Sequence, residues 1–227
     1  MCGRFAQTIS LSKLNMINLV DEVSGIYSVS YNVAPSHEPS IILNIAGKKN
    51  LKPVKWGLIP SWTKGQPKGG GIINARFESV TDKPSFRNSY RYRRCLIPVT
   101  GFFEWKKEGR LKIPFFINTG KDDDGEFSVM LLGGLFDTWT SPDGKNLDTF
   151  TIITTEGAGA MKTIHDRMPL IIDKKNALLW LSNDYNHEKH KDLILTFNAD
   201  SLKLYPVSES VNSPGNNSVQ CIMPAGG

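Results

Sequence analysis

Between residues 94 and 155 the chain reads as a ladder of strand-length apolar segments broken by turn sequences. The segments 94–99, 102–107, 111–118, 127–136 and 148–155 each fit a β-strand, and Lys107-Glu108-Gly109-Arg110 is the turn that joins two of them. No regular alternation of strand and helix accompanies them, so the pattern favours antiparallel sheet over a parallel βαβ architecture. Upstream, Ser40–Ile45 and Leu51–Ile59 flank Ala-Gly-Lys-Lys-Asn, a hairpin signal. Helices are expected only at the periphery. One spans 10–22 with Ser10 as its cap, a short one lies near 157–164, and one carries Ala177–Leu181 behind a capping Asp173. Another covers 186–196, and a strand near 202–207 follows. The glycine-rich stretch 63–71 reads as a flexible flap on the ligand side. No repeat, low-complexity tract or interdomain linker interrupts the chain. The expected fold is therefore α+β, a single domain over 1–227 built on mainly antiparallel sheet, partly barrel-like, with peripheral helices.

Composition narrows the class of protein. Among 227 residues, 40% are hydrophobic and 22% charged, the balance of a soluble globular chain with a real core. No apolar run approaches the roughly 18 residues that span a bilayer, and the N-terminus lacks the basic and apolar regions of a signal peptide. A cytoplasmic location is expected, or a nuclear one in a eukaryote, and the default oligomeric state is a monomer. Cys2, Cys95 and Cys221 form neither a CxxC pair nor a metal-ligand spacing, so reduced thiols and no metal or cofactor are expected. Cys95 reads as a buried strand residue. His187 and His190, in a polar helical stretch, read as solvated. The net charge of +5 is unevenly placed: residues 83–112 hold nine Lys or Arg against Glu104 and Glu108, which makes that segment +7. Its interleaved aromatics suit a polyanion with stackable bases, although a plain solvated basic surface has the same composition.

Several short motifs carry chemistry. The opening Met1-Cys2-Gly3-Arg4-Phe5 places a cysteine where removal of Met1 exposes a 1,2-aminothiol. Such a group condenses with an aldehyde to an imine, and the thiol then closes a thiazolidine. From model values, roughly a quarter of α-amines and under about a tenth of thiols are deprotonated near neutral pH. Taken alone, position 2 is equally a chance occupant of a frayed terminus. Tyr31-Asn32-Val33-Ala34-Pro35 reads as a rigid extended turn able to support that terminus. In Trp56-Gly57-Leu58-Ile59-Pro60-Ser61-Trp62 a core strand explains Trp56, whereas Trp62 is harder to bury and suits stacking on a base, worth roughly 1–3 kcal/mol. Asn74, in Ile73-Asn74-Ala75-Arg76, either caps a turn or bonds a sugar oxygen, with Arg76 on a phosphate. Glu104, in Gly101-Phe102-Phe103-Glu104-Trp105, either faces water or sits in an apolar wall that disfavours its ionised form and makes it a proton shuttle. His165-Asp166-Arg167-Met168-Pro169 joins an imidazole, a carboxylate and a guanidinium before a stiff proline, a setting for either a structural or a proton-transferring histidine.

The order of these motifs, from Cys2 to Cys221-Ile222-Met223-Pro224, resembles the SOS-response-associated peptidase (SRAP) family over essentially the whole chain. The resemblance implies a DNA-damage protein that shields abasic sites in single-stranded DNA, including junctions with duplex. It implies that the Cys2 amine attacks C1′ of the ring-opened sugar and that its sulfur completes a thiazolidine. By the same likeness Asn74 holds the sugar, Glu104 moves protons and His165 is a second acid or base. Arg4, Arg76 and Arg167 grip phosphates, Trp62 and Trp105 flank the lesion, and Pro35 lies in the DNA-binding set. The name peptidase reflects removal of whatever precedes the cysteine; with only Met1 ahead and Gly3 behind, methionine removal could suffice. Two other readings stand beside it. One is a cysteine peptidase with Cys2 as nucleophile and His165 as base. The other is a non-covalent single-strand binder.

Overall fold

Two sheets, rather than one, absorb the strand ladder. The computed structural model describes residues 2–65, 67 and 69–226. The smaller sheet contains β1 (Phe5–Gln7), β3 (Ser30–Val33), β9 (Gly101–Glu108), β10 (Leu111–Asn118) and β14 (Lys203–Pro206), in the order β14-β10-β9-β1-β3. The larger contains β2 (Glu22–Val23), β4 (Ser40–Ile45), β5 (Lys48–Pro53), β8 (Arg94–Val99), β11 (Met130–Thr140), β12 (Asn146–Glu156) and β13 (Arg167–Pro169), in the order β13-β12-β11-β8-β4-β5-β2. Two short strands, β6 (Lys55–Trp56) and β7 (Asn74–Arg76), lie parallel to β12. The α+β class on mainly antiparallel sheet holds, but both sheets stay open instead of curling into a barrel. Among the described residues no helix is long and apolar enough to cross a membrane.

Between the sheets lies the cluster that matters for the site. It gathers Cys2 with Phe5 and Phe102 of the small sheet, Trp56, Phe150, Ile152 and Met168 of the large one, and Met161 from a 3-10 turn. Phe5 pairs in register with Phe102, which ties the first strand of the chain to the middle of the small sheet. Gly101 is needed there: a Cβ on it would lie 2.4 Å from Phe116 Cζ and 2.5 Å from the Ile117 carbonyl oxygen. A second close approach closes the neck of the glycine-rich loop. A Cβ on Gly57 would sit 1.9 Å from the Gly70 oxygen, and one on Gly71 2.2 Å from the Gly57 oxygen. The loop expected at 63–71 falls partly outside the described residues, which omit Gln66 and Lys68, as does the expected removal of Met1.

Helices depart most from the sequence reading. The first, α1 (Leu11–Met16), has the expected Ser10 cap, whose hydroxyl accepts from the Lys13 amide, but it stops six residues early. Asn18 then turns back with φ of 53° to feed β2. A second, α2 (Arg87–Tyr92), forms inside the basic stretch. Asp173 makes no capping bond and precedes a 3-10 turn, after which α3 (Ala177–Leu181) begins.

The last helix, α4 (His187–Thr196), corrects the view of its histidines as solvated. His190 is fully buried among Tyr90, Trp180 and Tyr185. The Tyr90 hydroxyl sits 2.9 Å from His187 Nδ1 and 3.2 Å from His190 Nδ1, so it donates to one ring and accepts from the other. Burial first, then the charges of Arg94 and His187, bring the His190 pKa down to about 4 from 6.5. A base depressed in the folded state contributes stability that is whole above its unfolded pKa and lost as pH falls through the folded one. Acidification from pH 6.5 to 4 should therefore cost about 2–4 kcal/mol from this group. Urea unfolding across that range should show the loss, and His190→Phe should flatten it by about one proton. An unchanged slope in the variant would assign the acid sensitivity elsewhere.

Candidate DNA-processing site

Cys2 is fully buried, and its carbonyl accepts a hydrogen bond from Asn74 Nδ2 at 2.8 Å. Asn74 is placed by the pairing of β7 with β12, which sets it opposite Ile152. Its other amide atom, Oδ1, is buried and has no hydrogen-bond partner among the described residues. From the small sheet, Glu104 is almost entirely buried and brings its charge to bear on the Cys2 thiol. Burial first and the Glu104 charge second push that thiol up to about 12. Both influences oppose the Cys2 thiolate, and its Sγ lies 3.9 Å from the Arg4 carbonyl oxygen. Glu104 does not face water in the structure.

His165 follows a 3-10 turn, Gly159–Thr163, whose Met161 belongs to the Cys2 cluster and whose neighbour Ile164 packs on it. His165 Nδ1 lies 2.9 Å from the Arg167 amide and 2.7 Å from Asp166 Oδ1. A neutral ring can accept from the amide, and a protonated ring can donate to the carboxylate. One nitrogen thus has a partner in either state. Beyond it, Arg76, Lys162 and Arg167, with Glu156, Gly157 and Asp166, line an open cavity of about 490 Å³. Arg167 is held there by a bidentate pair with Glu78, at 2.7 and 2.9 Å, and by the Thr154 carbonyl at 2.6 Å. Arg76 is exposed and sits opposite Thr154 in register.

Two expected DNA contacts are placed differently. Arg4 turns inward, and its Nη1 donates to Asn32 Oδ1 at 2.8 Å and to the Val211 carbonyl at 2.6 Å. A guanidinium buried and engaged in this way secures the terminal strand. Trp105 occupies the face of β9 opposite Glu104, because side chains alternate along a strand. Partly buried, it packs against the cluster of Ala6, Phe103, Phe116 and Val207, and its Nε1 donates to Asn212 Oδ1 at 2.7 Å. By contrast Trp62 is 62% exposed. Pro35 is half-buried in a turn whose next residue, Ser36, donates its amide to the Trp56 carbonyl. The basic stretch is partly spent inside the protein. Arg94 is buried and donates to the carbonyls of Tyr90, Arg91, Trp180, Ser182 and Asp184.

Glu78 and Thr154 were not legible as site residues. Only the closeness of Glu78 to the Asn74-Ala75-Arg76 motif hinted at it. Among the described residues no group of His, Cys, Asp or Glu is arranged to hold a metal.

Asn74 bonded to the buried Cys2, with Glu104 acting on its thiol and an arginine-lined cavity on the same two-sheet α+β domain, matches the layout of one known family. The chain belongs to the SOS response associated peptidase (SRAP) family, whose model matches residues 1–214. It is 38% identical over 228 residues to the abasic site processing protein YoqW of Bacillus subtilis (strain 168), covering 98% of this chain and 99% of that one. It is 29% identical over 265 residues to the abasic site processing protein HMCES of Xenopus tropicalis, covering 98% and 78%. A crystal structure of a Bacteroides thetaiotaomicron protein superposes with a TM-score of 0.82 at 26% identity, over 99% of this chain and 100% of that one.

Proposed function

We propose that this protein processes abasic sites by capturing them covalently in single-stranded DNA through Cys2 once Met1 is removed. The observation that carries the reading is the convergence of Asn74 and Glu104 on Cys2. Names of relatives as abasic site processing proteins support the substrate. With Met1 attached the α-nitrogen is an amide and inert. Once free, the amine adds to the C1′ aldehyde of the ring-opened sugar. Glu104 carries protons as the carbinolamine loses water to give the imine, and the orphaned Asn74 Oδ1 accepts from a sugar hydroxyl. The sulfur then bonds to C1′ while the thiol proton passes to nitrogen, closing the thiazolidine with no change in oxidation state. An abasic nucleotide has already lost its base, so little energy is spent on exposing the sugar.

The disfavoured thiolate bears on the order of events. A thiol held near 12 is a poor first nucleophile, so the amine leads and the sulfur follows. It weighs equally against thiolate attack on a peptide bond in another protein or in this one. The capture rate should rise with pH as the α-amine deprotonates near about 8 and then level off, with no further limb from an ordinary thiol. Single-turnover capture from pH 6 to 10 checks this; a rate still climbing beyond the amine would point to thiolate attack.

The direct test mixes purified protein with single-stranded DNA bearing one abasic site and resolves the mixture on a denaturing gel. Intact mass spectrometry of the same sample reports whether Met1 is gone. A heat-stable shifted band is expected from protein with a free Cys2 amine. Its absence from such protein would overturn covalent capture and leave the non-covalent binder.

A further inference from the structure

We propose that Asp137 is a positioning residue that sets Trp62 and Arg93 as one contact for the nucleotide flanking the captured sugar, on the side away from Arg76 and Arg167. The inference rests on the reading of the site as a single-stranded DNA trap. It starts from β12, which acts as a ruler. Asp137 pairs with Thr149, Asn74 with Ile152 and Arg76 with Thr154. At about 3.4 Å per residue, Asp137 stands about 10 Å to one side of Asn74 along the strand, and Arg76 about 7 Å to the other. The segment that leads to Trp62 crosses at the same level, where the Ile59 amide donates to Thr149 Oγ1 at 2.9 Å.

Asp137 is buried, and both of its oxygens are taken. Oδ2 accepts the Ser61 amide at 2.8 Å, and Oδ1 accepts the Thr138 amide at 2.9 Å together with Arg93 Nη1. On the far side of Trp62, the Trp139 indole donates to the Thr63 carbonyl at 2.8 Å. The residues on each side of Trp62 are thus pinned to β11 while the indole itself remains 62% exposed. An exposed aromatic on a rigid turn has little ordering entropy left to lose when a base stacks on it. Arg93 is 37% exposed, and among the described residues only its Nη1 is engaged. Its remaining N–H edge is free for a phosphate oxygen, in the planar geometry that guanidinium offers. One carboxylate therefore fixes a base platform and a phosphate donor together. Buried ion pairs add little net stability as a rule, so what this one contributes is geometry.

The test uses single-stranded DNA with a tetrahydrofuran abasic analogue, which cannot react, and 2-aminopurine on its 5′ or its 3′ side. Wild-type protein should change the 2-aminopurine signal on one side only. Trp62→Ala and Asp137→Asn should each remove most of that change. Arg93→Gln should keep the signal and lower the slope of log affinity against log salt by about 0.7. Full signal change in Asp137→Asn would overturn the positioning role, and an unchanged salt slope in Arg93→Gln would overturn the phosphate contact. The Arg93 variant alters a half-exposed side chain, so it remains informative if Asp137→Asn misfolds. Protein that binds the analogue but makes no heat-stable complex with a reactive abasic site would fail the capture reading alone.

Discussion

Cys2→Ala should abolish every heat-stable complex with abasic DNA formed without a reductant. The variant keeps an α-amine once Met1 is removed, so imine formation survives and borohydride should trap it as a stable secondary amine. What the variant lacks is the sulfur that closes the ring, and an open imine hydrolyses on denaturation. The paired outcome separates the two steps. Loss of the untreated band with retention of the trapped one assigns permanence to sulfur and initiation to the amine. A heat-stable band from Cys2→Ala without reductant would show that another nucleophile holds the DNA, and the proposal would fall.

Glu104→Gln should slow single-turnover capture by about 100-fold, the lower end of what a positioned acid–base group contributes. The substitution keeps the shape and removes both the proton-carrying capacity and the negative charge. The second effect runs the other way. Without the Glu104 charge the Cys2 thiol loses the smaller of the two influences that raise it, so its pKa should fall while burial still holds it above the ordinary value. Thiolate absorbance titrated against pH in the two proteins would register that fall. Slower capture despite an easier thiolate would identify proton transfer as the lost contribution. Capture at the wild-type rate would reduce Glu104 to a wall residue.

Much of the architecture was already legible. The strands from Arg94 to Glu156 follow from their own apolar patterning, and the Ser10 cap marks where the first helix begins. Cys2, Asn74, Glu104 and His165 stood out because each has an unusual chemical capacity in its local setting, and their order carried the family likeness. What each side chain faces was a different matter. Arg4 looked like a phosphate ligand until Asn32 and Val211, far along the chain, were found on its guanidinium. His190 sits in a polar helix and is buried because Tyr90, Trp180 and Tyr185 converge on it from elsewhere.

The sequence by itself determined the local terms: strand patterning, turns, caps, and an aminothiol waiting behind Met1. These depend on residues a few positions apart, so they can be read along the chain. Tertiary structure alone decided that Glu104 faces Cys2 while its neighbour Trp105 looks the other way, and that Asp137 holds Ser61 and Arg93 at once. Those outcomes depend on which face of a strand the other sheet covers and on burial that changes a group's charge. Both are set by contacts between segments widely separated along the chain.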